Sequence, residues 1–202
     1  MTRYPSVVIT AVAALSFAAS APASAAVFVY TGSLSGTQEV PTNASPGTGT
    51  VIVTYDDVTQ LLNIQSTFAQ LLGTTTVAHI HCCAATGANA GVATVPNLPG
   101  LPLGMSSGSV NTTLDLNTSA AFNTPFITNN GGTVASARAV LVGALNTNRT
   151  YFNLHSTQFP GGEIRAQLIA AVPEPTTWAM MILGFSLVGG SLRLRRSALV
   201  AA

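Results

Sequence analysis

The sequence predicts an all-β domain, an antiparallel sandwich or barrel, and three observations carry that prediction. Apolar residues recur with period two through most of the middle of the chain. The runs are short, and seven or so of them are separated by Gly, Asn, Asp or Pro turn signals. Alternation of this kind places one face of each run on a core and the other on a different environment.

Taken in order, Val27-Phe28-Val29-Tyr30 opens the first strand, and Thr50 to Tyr55 forms a second with Val51, Val53 and Tyr55 on one face. Asp56-Asp57 makes a turn, and Leu61 to Phe68 returns as a hairpin partner with Leu62, Ile64 and Phe68 on one face. Further strands are expected at Thr75 to His81, Ser109 to Leu116, Arg149 to Ser156 and Gly162 to Ile169. Thr133 to Leu145 reads either as a short helix, from its alanines, or as another strand, from its β-branched valines. The stretch Gly87 to Met105, punctuated by Pro96, Pro99 and Pro102, reads as a long loop or a poor edge strand.

The two ends stand apart in composition. Arg3 followed by an apolar run from Val7 to Ala19 and by Ala23-Ser24-Ala25 reads as a signal peptide, residues 1–25, removed by signal peptidase after Ala25. At the other end, residues 172–202 hold Pro173-Glu174-Pro175, Trp178 at the edge of a short apolar helix candidate, and the basic cluster Arg193, Arg195 and Arg196. By the positive-inside rule the arginines stay cytoplasmic and the domain lies outside. This three-part tail resembles the PEP-CTERM sorting signal of Gram-negative bacteria. The resemblance implies recognition by an exosortase, transient anchoring in the membrane by the apolar helix, cleavage near the Pro-Glu-Pro, and export to the outer surface or extracellular matrix.

Between the ends, residues 26–171 form one domain by length. Arg138, Arg149 and Arg165 stand against Glu39, Asp56, Asp57, Asp115 and Glu163, which leaves the domain a formal charge of −2. The chain has no lysine. Nucleic acid is therefore excluded as a partner, because it demands clustered basic residues, and an anionic membrane surface is excluded for the same reason.

Polar chemistry concentrates in two segments, His79-Ile80-His81-Cys82-Cys83 and Tyr151-Phe152-Asn153-Leu154-His155, the second followed by Gly161-Gly162-Glu163-Ile164-Arg165. They hold all three histidines of the chain. Alternation places His79 and His81 opposite Ile80, Tyr151, Asn153 and His155 opposite Phe152 and Leu154, and Glu163, Arg165 and Gln167 opposite Ile164, Ala166 and Leu168. If these strands are neighbours, the decorated faces make one polar surface. Glu163 and Arg165 are expected to pair with cross-strand partners.

These residues also carry a family resemblance. Leu34-Ser35-Gly36-Thr37-Gln38-Glu39-Val40-Pro41, Gly47-Thr48-Gly49, Ala78-His79-Ile80-His81, Tyr151 to Ser156 and Pro160 to Leu168 follow in order the motifs of the CHRD domain, named after chordin. Ser156 stands where the family usually has Thr, and Ala166 where it usually has Gly. The resemblance spans nearly the whole domain. It implies an all-β, immunoglobulin-like sandwich or barrel with no established catalytic activity.

Three neutral imidazoles, two of them at i and i+2 on one strand, suit copper or zinc. His79-x-His81 also looks like the strand pair of copper ligands in copper-zinc superoxide dismutases, yet three histidines cannot make a four-histidine copper site. The competing reading is that the histidines are structural and bond Asn153, Glu163 or neighbouring carbonyls. Cys82-Cys83 is open to four readings: a vicinal disulfide, two free thiols, intermolecular bridges, or thiolates joining the histidines around a metal. No Gly-x-Ser-x-Gly, Gly-rich phosphate loop or His-Glu-x-x-His is present. The sequence is thus read first as a non-enzymatic exported surface or matrix module, with exopolysaccharide or surface proteins as partners. The alternative is an envelope metal-binding protein using His79, His81 and His155.

Overall fold

Period-two alternation becomes antiparallel sheet in the structure, a computed structural model that describes residues 26–171 and 180–189. The expected signal peptide and its cleavage point, Pro173, Glu174, Pro175, Trp178, Arg193, Arg195 and Arg196 lie outside the described residues. Residues 180–189 are helical, and among the described residues no helix is long and apolar enough to cross a membrane.

The strands are β1 (Val27–Ser35), β2 (Thr48–Asp56), β3 (Leu61–Ala69), β4 (Thr75–Cys82), β5 (Gly91–Val92), β6 (Gly108–Asp115), β7 (Thr150–Ser156), β8 (Ile164–Gln167) and β9 (Ile169–Ala170). They form one sheet in the order β5-β4-β7-β8-β1-β2-β3-β6, with β9 also paired to β1. All pairings are antiparallel, so the fold is all-β as the alternation predicts. The sheet curls into a half-barrel. At one end its two halves meet, where Thr75 of β4 bonds Met105 and Gly104 and Leu71 bonds Ser106, on the approach to β6.

Inside the curl lie Val51, Val53 and Tyr55 of β2, Leu62, Ile64 and Phe68 of β3, Ile80 of β4, and Phe152 and Leu154 of β7, all buried. Each large apolar side chain placed there contributes roughly 1.5–3 kcal/mol. Residues 134–146 resolve the helix-or-strand ambiguity: α2 (Val134–Asn146) is a helix. Its buried residues Ala137, Leu141, Ala144 and Leu145 fall on one helical face. Thr133 and Ser136 form a reciprocal capping box at its start. A shorter helix, α1 (Thr124–Asn129), precedes it; six residues with one buried side chain leave no period to read.

Two boundaries differ from the sequence expectation. The segment 87–105 is mostly irregular but contributes β5, which pairs with His81 and Cys82. The single strand expected over Gly162 to Ile169 is split at Leu168: β8 lies between β7 and β1, the ladder with β7 ends at Gln167, and Ile169 and Ala170 continue along β1 opposite Thr31 and Tyr30, in the register that Arg165 already holds with Ser35.

The two halves of the sheet differ in how their outer faces meet solvent. β2 and β3 alternate between buried and exposed residues, whereas every residue of β7 and the last five of β4 are buried. A strand buried on both sides has a second layer over its outer face. Here that layer is irregular chain rather than another sheet. It corrects the expectation of an open polar surface on β4, β7 and β8.

Candidate metal centre

β4, β7 and β8 are neighbours, in that order, and their register sets His79, Asn153 and Arg165 in one row across the sheet. Two residue pairs along, on the same face, His81 lies opposite Tyr151. Ile80, Phe152 and Ile164 anchor the other face with no exposure. This fixes the direction of every polar side chain between them.

His79, His81 and His155 converge under the covering loops, with exposures of 5%, 8% and 8%. One ring nitrogen from each lies within 4.8 Å of the other two. Their remaining nitrogens are held identically. His79 Nδ1 lies 2.7 Å from the Pro96 carbonyl, His81 Nδ1 2.8 Å from that of Ala90, and His155 Nδ1 2.9 Å from that of Pro160. A carbonyl oxygen only accepts, so each Nδ1 carries the proton and donates it. Each Nε2 is then a lone pair aimed into the cluster.

The arrangement has an electrostatic consequence. His79 Nε2 and His155 Nε2 are 3.0 Å apart, and His81 Nε2 is buried with no hydrogen-bond partner. Two lone pairs at that separation repel unless a cation lies between them. Protonation is opposed: burial pushes His79 down to about 4, against the pull of the Pro96 carbonyl, and His155 adds to the depression. Burial also pushes His81 down to about 4, aided by His79. His155 is lowered by burial and by Arg165. Near neutral pH the three rings are therefore unprotonated, and a metal ion is the cation that fits three inward lone pairs.

Around the histidines runs a buried stack. The Tyr151 ring lies on His81 with centroids 4.5 Å apart and planes 11° apart, and the Arg165 guanidinium sits 3.9 Å from the Tyr151 centroid. Tyr151 Oη accepts from the Ala90 amide at 3.1 Å, which ties the ring to the residue that supports His81. Arg165 Nε is 3.3 Å from Glu39 Oε2, an ion pair whose N–H is not aligned as a hydrogen bond. Burial raises Glu39 to about 7, against the lowering by Arg165 and Asn153. Gly162 takes φ +127° and touches this network: a Cβ there would fall 2.6 Å from Asn153 Nδ2 and 2.7 Å from Glu39 Oε1.

The other sequence candidates are placed as follows. Glu163 does not reach the histidines; its carboxylate accepts from Ser45 Oγ at 2.6 Å and from the amides of Leu72 and Gly73, and so holds the turn between β3 and β4. Nor does it pair with Arg165, whose partner Glu39 comes from the turn after β1. Cys82 and Cys83 are bonded to each other. Their sulfurs are thus not thiolates of the cluster. Residue-level reading missed Glu39 as part of the site and placed Tyr151 on the decorated face without giving it a role. For Glu39 the signal lay only in the Gln38-Glu39-Val40-Pro41 motif, more than a hundred residues away from Asn153 and Arg165.

No curated protein and no solved structure gives a significant match. The PEP-CTERM protein-sorting motif matches residues 171–196, so the tail marks the chain for exosortase processing and export to the cell envelope or surface. The CHRD domain model matches residues 30–168, from Tyr30 in β1 through all three histidines to Leu168 at the β8–β9 break, and the chain belongs to the CHRD domain family.

Proposed function

We propose that this exported CHRD-domain protein is a metal-holding surface module that binds one ion of the copper or zinc kind through the Nε2 atoms of His79, His81 and His155. The observation that carries the reading is the shared tautomer: three Nδ1–H groups are spent on backbone carbonyls, leaving three inward lone pairs, two of them facing each other at 3.0 Å and the third, on His81, without a hydrogen-bond partner. A purely structural histidine cluster has no reason to aim lone pairs at one another. The module is non-catalytic and works at the outer surface or in the extracellular matrix of a Gram-negative bacterium after exosortase release.

The test is elemental. Metal is measured in the protein purified from the envelope without chelating tags, beside a His79→Ala/His81→Ala variant. Near-stoichiometric copper or zinc that disappears in the variant is the expected result. Absence of metal, with no change of melting temperature when copper or zinc is added, refutes the reading.

A second reading concerns partners. The outer face of β2, β3 and β6 is mostly uncharged hydroxyls and amides, with Thr50 paired to Thr67 at 3.0 Å and Asn63 to Asn111 at 2.9 Å; Ile52 interrupts it, and Leu61, Asp56 and Asp115 lie at one end. A neutral, hydroxyl-rich polymer such as an exopolysaccharide suits it better than a charged partner. Co-sedimentation with matrix polysaccharide, lost on Thr67→Glu, tests this; equal co-sedimentation of the two proteins refutes it.

A further inference from the structure

The metal reading leaves the valence of the ion open, and three features of the centre bear on it. The first is the ligand set. Among the described residues the cluster contains three imidazoles and no carboxylate or thiolate, since the sulfurs of Cys82 and Cys83 are bonded to each other. The second is the support behind the ligands. Metal-binding histidines commonly rest on a carboxylate or a carbonyl, and here all three rest on carbonyls, of Pro96, Ala90 and Pro160. Neither the ligands nor their supports bring negative charge.

The third feature is a cation in the same buried layer. Arg165 lies 3.9 Å over Tyr151, and Tyr151 lies 4.5 Å over His81. Its charge thus stands one ring away from the cluster, with the Tyr151 slab between them. Glu39 offsets that charge, but from Oε2, beside Arg165 Nε rather than among the histidines. A dication at the centre would be stripped of water in a pocket 5–8% exposed, with no anionic ligand and with a guanidinium near by. A monocation brings half the charge. Cuprous ion is also d10 and content with three neutral nitrogen donors, whereas zinc needs a fourth ligand.

We infer, resting on the metal-binding reading above, that the three-imidazole centre is a copper(I) site whose valence is set by its lack of anionic ligands and by Arg165 acting through the Tyr151 stack. Arg165 and Tyr151 are here positioning and charge-setting residues; they do not ligate.

The experiment uses the exported protein, metal-freed, at pH 8, where Glu39 is ionised. Copper(I), kept reduced by ascorbate under argon, is competed against a chromogenic cuprous chelator; copper(II) and zinc(II) are competed separately against their own indicators. The expected result is one equivalent of copper(I) held at least about a thousandfold more tightly than zinc(II), with an X-ray absorption edge of a three-coordinate cuprous ion. Zinc(II) or copper(II) bound as tightly as copper(I) overturns the valence inference and leaves the metal reading standing. Failure to bind any of the three ions overturns both. The Glu39→Gln variant keeps shape and removes the charge that offsets Arg165. It is expected to widen the preference for copper(I) over copper(II) by about tenfold, for one unit charge at this range in a partly buried site. An unchanged or narrower preference, at unchanged copper(I) stoichiometry, overturns the role given to Arg165.

Discussion

Acid destabilises the metal-free domain between pH 6.5 and 4.5, and the size of the effect follows from four buried groups. His79 and His81 have native values near 4 against 6.5 for the free side chain. In that window the unfolded chain takes up two protons that the native state refuses. His155 is lowered too and acts in the same direction. Glu39 acts in the opposite sense: raised from 4.5 to about 7, it is protonated in the native state and ionised in the unfolded one across the same window. The unfolded state thus binds a net one to two more protons, and stability must rise with pH.

Each net proton is worth about 1.4 kcal/mol per pH unit, so the slope is about 1.4–2.7 kcal/mol per unit and the loss over the window is roughly 3–5 kcal/mol. Set against a typical domain stability of about 5–15 kcal/mol, that is enough to see by urea titration. Far-UV circular dichroism is the appropriate probe, because the one tryptophan, Trp178, lies in the tail. Glu39→Gln removes the opposing group and steepens the slope by about 1.4 kcal/mol per pH unit. A stability that is flat or rises on acidification from 6.5 to 4.5 refutes the assignment of three neutral buried imidazoles, and a variant with the parental slope refutes the opposing role of Glu39.

Other perturbations separate the parts of the site. Gly162→Ala places a Cβ within 2.7 Å of both Asn153 and Glu39 at φ +127°, and is expected to cost about 2 kcal/mol or more by urea titration. Tyr151→Leu removes the slab between Arg165 and His81 and lowers metal affinity about tenfold in a calorimetric titration, through loss of contacts worth about 1–2 kcal/mol. Tyr151→Phe keeps the stack and most of the affinity. Glu163→Gln weakens bonds to Ser45, Leu72 and Gly73 and lowers stability by about 1.5–3 kcal/mol, with metal stoichiometry unchanged by elemental analysis.

The strands were legible because burial of one face imposes period two, and the pairs Val51/Val53, Leu62/Ile64 and Phe152/Leu154 show it without interruption. The same alternation put His79, His81 and His155 on faces that the sheet order brings together. What alternation cannot report is a second layer made of irregular chain. Nothing in the spacing of β7 distinguishes an outer face open to water from one roofed by loops, so the full burial of Asn153, His155 and Arg165 was unreadable. Glu39 was unreadable for a related reason: it follows a single 3-10 turn, and its partners Asn153 and Arg165 are far along the chain. The break at Leu168 marks the end of the ladder with β7 while the register on β1 runs on, and that leaves no mark on composition.

The roof and the histidines are one device. A carbonyl within a strand ladder is already occupied by the neighbouring strand, so a ring Nδ1–H on that face needs a carbonyl from chain that has left the ladder. Proline supplies such chain, since it cannot donate to a ladder and interrupts pairing where it stands. Two of the three acceptors are proline carbonyls, Pro96 and Pro160, and the third, Ala90, directly precedes the two-residue strand β5. The Pro- and Gly-rich segments that carry no secondary-structure signal therefore fix the tautomer of every ring in the cluster. An ion held by the three Nε2 atoms fastens β4 to β7 and, through the opposite side of each ring, fastens both covering loops to the sheet. Its binding free energy is then also loop-ordering free energy. This is useful to a domain exported to the envelope or surface with so few charged residues to pin its surface.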